Sequence, residues 1–185
     1  RSAYYELRKI SMIRHTLTVH TTTILVCAFV LSKLDYCNSL LSGWPAYLIE
    51  KLQKVQNSAA RLIHKARKSD HVKPLLRSLH WLPIQARIDY KLSILCFKFF
   101  TNCSPTYFSD ILSVYTPARQ LRSSADTRIL CTKHSNTNTY GKRAFAVCAP
   151  TQWNSLPYNI RHCESLNSFK RALKTYLFRK HLSEL

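Results

Sequence analysis

Glycine is almost missing: Gly43 and Gly141 are the only two in 185 residues, against 7 prolines. Tight hairpins draw on glycine for positive φ, so a fold of many short hairpins is disfavoured and helices are expected. Two isolated glycines also exclude a glycine-rich phosphate loop. Acidic residues are scarce, 9 in all, and Asp35, Glu50, Asp70, Asp89 and Asp110 stand singly. Two-metal phosphoryl transfer needs carboxylates close together, and no two Asp are adjacent here. No local pattern resembles a Cys–His nucleophile pair, so no autonomous active site and no cofactor are expected. Long apolar runs are missing too. The longest, Ile24 to Leu31, falls far short of the roughly 20 residues a spanning helix needs, so no membrane partner is expected. No signal-peptide pattern is legible. Arg1 stands where a start codon would put Met, which points to a piece of a longer protein.

What is present is positive charge. Lys and Arg number 28, and the net charge is +19. Such an excess repels itself unless an acidic partner screens it, and phosphate backbones and anionic membranes are the usual candidates. A basic surface kept for solubility is the plainer alternative. Hydrophobic residues make up 46% of the chain, enough for one domain with a real core, or one and a half. The 7 cysteines are odd in number and scattered, and Cys27, Cys37 and Cys96 sit in apolar or helical patterns. They read as small buried hydrophobes in a reducing, intracellular compartment rather than as a disulfide framework.

The stretch from Trp44 to Lys68 organises the rest. Gly43 breaks what precedes it, and Pro45 suits a first helical position. At about 100° per residue, Leu48, Leu52, Val55, Ala59, Leu62 and Ile63 share one face. Lys51, Lys54, Arg61 and Lys65 gather on a neighbouring arc. An amphipathic helix is expected, packed by one side and basic on another.

Before it, Arg1 to Arg14 has helical spacing at Leu7 and Ile10. Thr16 to Thr23 offers N-caps for a second helix reaching about Leu41, apolar nearly all round at first and therefore expected to be buried. After it, ARKSDHVK (66–73) reads as a loop and Pro74 to His80 as a short turn. Pro83 starts a helix with the stripe Ile84, Ile88, Leu92, Leu95 and Phe99, and Arg87, Lys91 and Lys98 line one side. A proline-led helix near Pro105 to Leu112 closes this part. Beyond Val114 the character changes. Thr116 to Thr127 reads as an exposed connection. Arg128 to Thr132 and Arg143 to Val147 have strand-like character and are expected to pair. His134 to Thr139 is a loop, and Pro150 to Leu156 makes one helical turn with Trp153 inward. Ser165 caps a final helix to about His181, with Leu166, Phe169, Leu173, Tyr176 and Leu177 on its apolar face.

The expected architecture is mainly α: a helical bundle over 1–113, then a smaller region over 114–185 with short strands and a final helix. Two kinds of site offer themselves. Cys131 and His134 have C-x2-H spacing and His162 adjoins Cys163, but zinc modules normally show two tight pairs, so no metal is expected. The stronger candidate is the basic face: Lys51, Lys54, Arg61, Lys65, Arg67 and Lys68, followed by Arg77, Arg87 and Lys91. Such a surface neutralises phosphates and gains free energy from released counterions without reading sequence. Trp81, Tyr90 and Tyr107 are candidates to stack on bases or, alternatively, to fill the core.

Six segments carry a resemblance. They are LDYCNSLLSG (34–43), KLQKVQNSAARLI (51–63), LRSLHWLPIQARIDYKL (76–92), YTPARQLRSS (115–124), YGKRAFAVCAPTQWNSLP (140–157) and LNSFKRALKTYLF (166–178). In order and spacing the chain resembles the C-terminal part of the reverse transcriptase of LINE-type, jockey-like non-LTR retrotransposons. The resemblance implies that the polymerase palm, with its paired Asp and its Mg, lies upstream of residue 1, with an endonuclease further upstream. The helices here would then be thumb and post-thumb structure. They would hold RNA template and DNA primer and pack on the palm, in the nucleus and cytoplasm, without catalysis of their own. Cys131, Cys148 and Cys163 depart from what such elements usually carry, which weakens the zinc idea further. The rival expectation is a helical protein-interaction module, docking on the palm or a host protein through an exposed Ile24 to Leu31.

Overall fold

The computed structural model describes residues 2–117, 128–137 and 140–182. Among them the chain is mainly helical, and no strand forms. It divides into two compact units. The first is Arg1–Asn38, Trp44–Arg87 and Phe178–Leu185; the second is Ser39–Gly43 and Ile88–Leu177. The change of character expected after Val114 falls inside the second unit.

In the first unit, helix α1 (Ser2–Ile13) packs against α2 (Val19–Val26) and α4 (Ala46–His64), and α4 also packs against α5 (Val72–Ser78). Leu7 and Ile10 face inward on α1. Thr18 caps α2, its hydroxyl accepting from Thr21 N at 3.1 Å. The single helix expected to reach Leu41 is instead broken. A π-turn occupies Cys27–Leu31, α3 is only Ser32–Asp35, Cys37 turns left-handed at φ 50°, and a 3-10 turn covers Asn38–Leu41. Hydroxyls explain part of this. Thr22 and Thr23 donate to Thr18 O and Val19 O, and Ser32 donates to Ala28 O, contacts that bend helices. The π-turn also shifts which side chains face in. Val26, Val30, Leu31 and Leu34 are buried while Ile24, Cys27 and Phe29 are exposed, so this run is not buried all round.

Helix α4 is shorter than Trp44–Lys68, and Pro45 lies just outside it at φ −55°, ψ 140°. Its buried arc is Ile49, Val55, Gln56, Ala59, Ala60 and Ile63, while Leu48, Leu52 and Leu62 are half-buried. The arc is wider than expected because α1, α2 and α5 all pack against this helix. Gln56, fully buried, donates to Leu82 O at 2.8 Å, and Gln53 accepts from Ile84 N at 2.9 Å. These two amides fix the Trp81–Pro83 turn and cap the next helix, α6 (Ile84–Phe100).

The lack of glycine shows at the helix ends. Lys65, His80 and Asn102 take the left-handed conformation that usually favours glycine, at φ 54°, 53° and 52°. Each closes the same pair of bonds: Ala66 N to Arg61 O with Lys65 N to Leu62 O, Trp81 N to Leu76 O with His80 N to Arg77 O, and Cys103 N to Lys98 O with Asn102 N to Phe99 O.

The second unit holds most of α6, then α7 (Phe108–Ile111), α8 (Phe145–Asn154), α9 (Tyr158–Arg161) and most of α10 (Leu166–Leu182). Its core is aromatic. Phe97 stacks on Phe169 at 4.3 Å, Phe100 on Trp153 at 5.2 Å, and Trp153 lies 5.8 Å from Phe169. Trp153 points inward as expected, and Ser165 caps α10 by accepting from Ser168 N at 3.1 Å. Helix α8 starts at Phe145 and runs through Pro150 rather than starting there.

The expected pair of strands is corrected. Residues 145–147 belong to α8, after a 3-10 turn at Gly141–Arg143, so they are not available to pair. Residues 128–132 form no strand, and side chains share their backbone with the segment around Val114, where Tyr115 N donates to Ile129 O and Cys131 N to Ser113 O. Asn154 accepts from Leu130 N at 3.0 Å and donates to Leu130 O at 2.8 Å, and Trp153 Nε1 donates to Arg128 O at 2.8 Å. A single antiparallel bridge joins Leu130 to Val114. Arg161, itself buried, donates to Leu156 O and Arg128 O, and Arg128 donates to Arg161 O and Cys163 O. Residues 118–127 of the expected connection, and 138–139 of the expected loop, lie outside the described residues.

Candidate nucleic-acid interface

Helices α1 and α4 border a hollow of about 970 Å³ in the first unit. The α4 wall is one stripe at helical spacing: Lys54, Asn57, Ser58, Arg61 and Leu62, continued by Lys65, Ala66 and Lys68 beyond the helix end. The α1 wall is Tyr4 and Ser11, with Arg14 and His15 just past that helix. No Asp or Glu lines it.

Arg14 ties the two walls together. It is 6% exposed, and its guanidinium donates to Leu62 O at 3.0 Å, Ile63 O at 2.7 Å and Leu17 O at 2.7 Å. Leu62 and Ile63 lie in the last turn of α4, where carbonyls lack the regular i+4 partner and the macrodipole favours a cation. Arg14 therefore satisfies the end of α4 and pins the end of α1 to it. The left-handed turn at Lys65 then reverses the chain, and Asp70 fixes the loop. Its carboxylate accepts from Arg67 N at 2.7 Å and its carbonyl accepts from Arg61 Nη2 at 3.0 Å. Arg61 Nε is buried without a hydrogen-bond partner. Lys54 pairs with Glu50 at 3.3 Å, but both side chains are about two-thirds exposed, and such a pair contributes little and exchanges readily for a phosphate.

Of the nine cations singled out from the sequence, four meet in this hollow: Lys54, Arg61, Lys65 and Lys68. Lys51 and Arg67 are exposed beside it in sequence but do not line it, and the Lys51 ammonium stands 5.7 Å from the Tyr47 ring centroid. Arg77 lies elsewhere in the same unit and donates to Leu182 O. Arg87 is committed to Leu82 O at 2.9 Å and to Asp35 at 2.6 Å. Lys91 is exposed in the second unit. Among the candidate stacking aromatics, Trp81 is buried, Tyr90 is half-buried, and Tyr107 is exposed with its ring 5.0 Å from Phe108. The α1 wall was not foreseen. A signal for Arg14 was present, because Leu7, Ile10 and Arg14 share helical spacing, and a cation on an apolar stripe calls for buried acceptors.

Among the described residues, no three His, Cys, Asp or Glu side chains are grouped to hold a metal ion. Nor is any described helix long and apolar enough to cross a membrane. No protein-family model, curated protein or solved structure matches the chain.

Proposed function

We propose that this chain is a non-catalytic, nucleic-acid-binding part of a retrotransposon RNA-directed DNA polymerase, of the LINE-type, jockey-like group its six segments resemble. In this reading it holds RNA template and DNA primer by their backbones during target-primed reverse transcription. The palm of the parent protein supplies the paired Asp and the Mg. The dispersed carboxylates here do not fit that metal, and no step of synthesis is assigned to these residues.

The observation that carries the reading is the hollow between α1 and α4, which gathers Lys54, Arg61, Lys65 and Lys68 with no acidic side chain among its lining residues. Some of these cations also complement the C-terminal end of α4, an effect of about 0.3–1 kcal/mol each. That role accounts for Arg14 and Arg61, but not for Lys54, nearly three turns back from the end, or for Lys68 beyond it. A polyanion threaded along the stripe accounts for all of them. The test is affinity for an RNA–DNA hybrid across a salt series. Contacts from Lys51, Lys54, Arg61, Lys65, Arg67 and Lys68 predict a slope of log K on log salt of about −5. An affinity indifferent to salt overturns the reading.

A second reading rests on a different observation. Ile24 and Phe29 are each about half exposed on the α2 run, which suits a protein-interaction module docking on the palm or a host protein. Concentration-dependent association in light scattering, together with weak nucleic-acid binding, favours that reading over the first.

A further inference from the structure

The α1 wall of the hollow carries an aromatic side chain where a purely electrostatic track needs none. Tyr4 is 47% exposed and lines the hollow across from the cationic stripe of α4. Tyr5, its neighbour, is exposed but outside the lining, and the Lys9 ammonium stands 4.4 Å from its ring centroid. One tyrosine of the pair therefore faces the cations and the other does not.

We infer that the hollow takes a single-stranded polynucleotide, with one base stacked on Tyr4 and the adjoining phosphates on Lys54, Arg61, Lys65 and Lys68. This inference rests on the nucleic-acid reading above and narrows its ligand from backbones in general to an unpaired strand. The physical reason is access. A duplex presents phosphates but keeps its base faces stacked, so an aromatic wall gains nothing from it. An unpaired strand offers both, and base–aromatic stacking is tolerant of sequence because every base has a π-face. The size agrees. About 970 Å³ lies at the upper end of the roughly 300–1,000 Å³ of small-ligand pockets, room for a few nucleotide units. Asn57 and Ser11 add polar side chains among the cations and suit sugar or base edges. RNA and DNA share this chemistry and differ by the 2′-hydroxyl, so matched strands of each separate the two.

The test compares labelled single-stranded RNA, single-stranded DNA and an RNA–DNA hybrid of equal phosphate count, by anisotropy at fixed salt, for the unaltered chain, Tyr4→Leu and Tyr4→Phe. Circular dichroism of each variant establishes that it is folded. Tyr4→Leu is expected to weaken single-strand binding by between about five-fold and about a hundred-fold, leave hybrid binding unchanged and leave the salt slope unchanged. Tyr4→Phe is expected to retain single-strand binding. Equal loss on strand and hybrid, or no loss on either, overturns the stacking while the backbone-binding reading stands. Salt-independent binding of every oligonucleotide overturns that reading and this inference together.

Discussion

Each unit buries one arginine against backbone carbonyls, but Arg14 in the first stands at a hollow lined by further cations, whereas Arg161 in the second exchanges backbone hydrogen bonds with Arg128. The interiors differ as well. The second unit stacks Phe97, Phe100, Trp153 and Phe169 into an aromatic core. The α4 core of the first is Ile49, Val55, Ala59, Ala60 and Ile63, with Gln56 bonded to the Trp81–Pro83 turn. A buried arginine in this protein is therefore architecture, a donor for carbonyls that no helix or sheet satisfies. The exposed cations set along one stripe form the surface that can meet a partner. Charge alone does not separate the two uses; the company each residue keeps does.

The comparison breaks most visibly at Trp153. Truncation to alanine empties the centre of the aromatic core and is expected to cost about 3–5 kcal/mol, read as a lower midpoint in urea or thermal unfolding. A loss under about 1 kcal/mol would mean the second unit does not depend on that core.

The two buried arginines come next. Arg161→Met and Arg14→Met each remove buried guanidinium donors from backbone carbonyls, and each is expected to cost about 1–3 kcal/mol. Their binding phenotypes should differ. Arg14→Met loosens the tie between the walls of the hollow and weakens polynucleotide binding, whereas Arg161→Met leaves binding unchanged while the protein is folded. Equal effects on binding would erase the distinction drawn between the units.

Lys65→Gly separates stability from binding at one position. Glycine adopts φ 54° without the penalty a side chain meets, so unfolding should become harder by about 0.5–1 kcal/mol. The same change removes a cation from the stripe, so the salt slope should become shallower by about 1. Greater stability with an unaltered slope would place Lys65 outside the binding surface.

The smallest effect is at alkaline pH. Burial pushes the Cys96 thiol above its ordinary value of 9.0. The folded thiol stays protonated where the unfolded one ionises, so the contribution is fully present below about pH 9 and is lost progressively as pH rises further. Cys96→Ala should flatten the fall in stability above pH 9 relative to the unaltered chain. An identical fall in both would show that the thiol does not contribute to it.

The helices were legible wherever apolar spacing and end signals agreed, as at α1, α4, α6 and α10. Reading failed where side chains served the backbone. The Thr16–Thr23 run marked a cap at Thr18, but the hydroxyl bonds that bend the following helix need the folded turn to be visible. Residues 128–132 look like a strand because Ile129, Leu130 and Cys131 form a short apolar run. Beyond the single bridge to Val114, their backbone bonds to the side chains of Asn154 and Trp153, distant in sequence and without strand character. In the hollow, the α4 stripe followed from helical periodicity alone. The α1 wall did not, because its position depends on Arg14 reaching the last carbonyls of α4. Arg87 shows the converse. It belongs to a basic line on α6 by spacing, yet Asp35 and Leu82 take its guanidinium.

The central claim is that the α4 stripe grips phosphates, and the most direct measurement is the salt slope of RNA–DNA hybrid binding for the unaltered chain beside the triple variant Lys54→Gln, Arg61→Gln, Lys65→Gln. These residues lie on the surface or half-buried, so the fold should survive, as circular dichroism would show. The account predicts that the slope falls from about −5 to about −2.5, close to 0.9 for each lost contact. Identical slopes for the two proteins would contradict it.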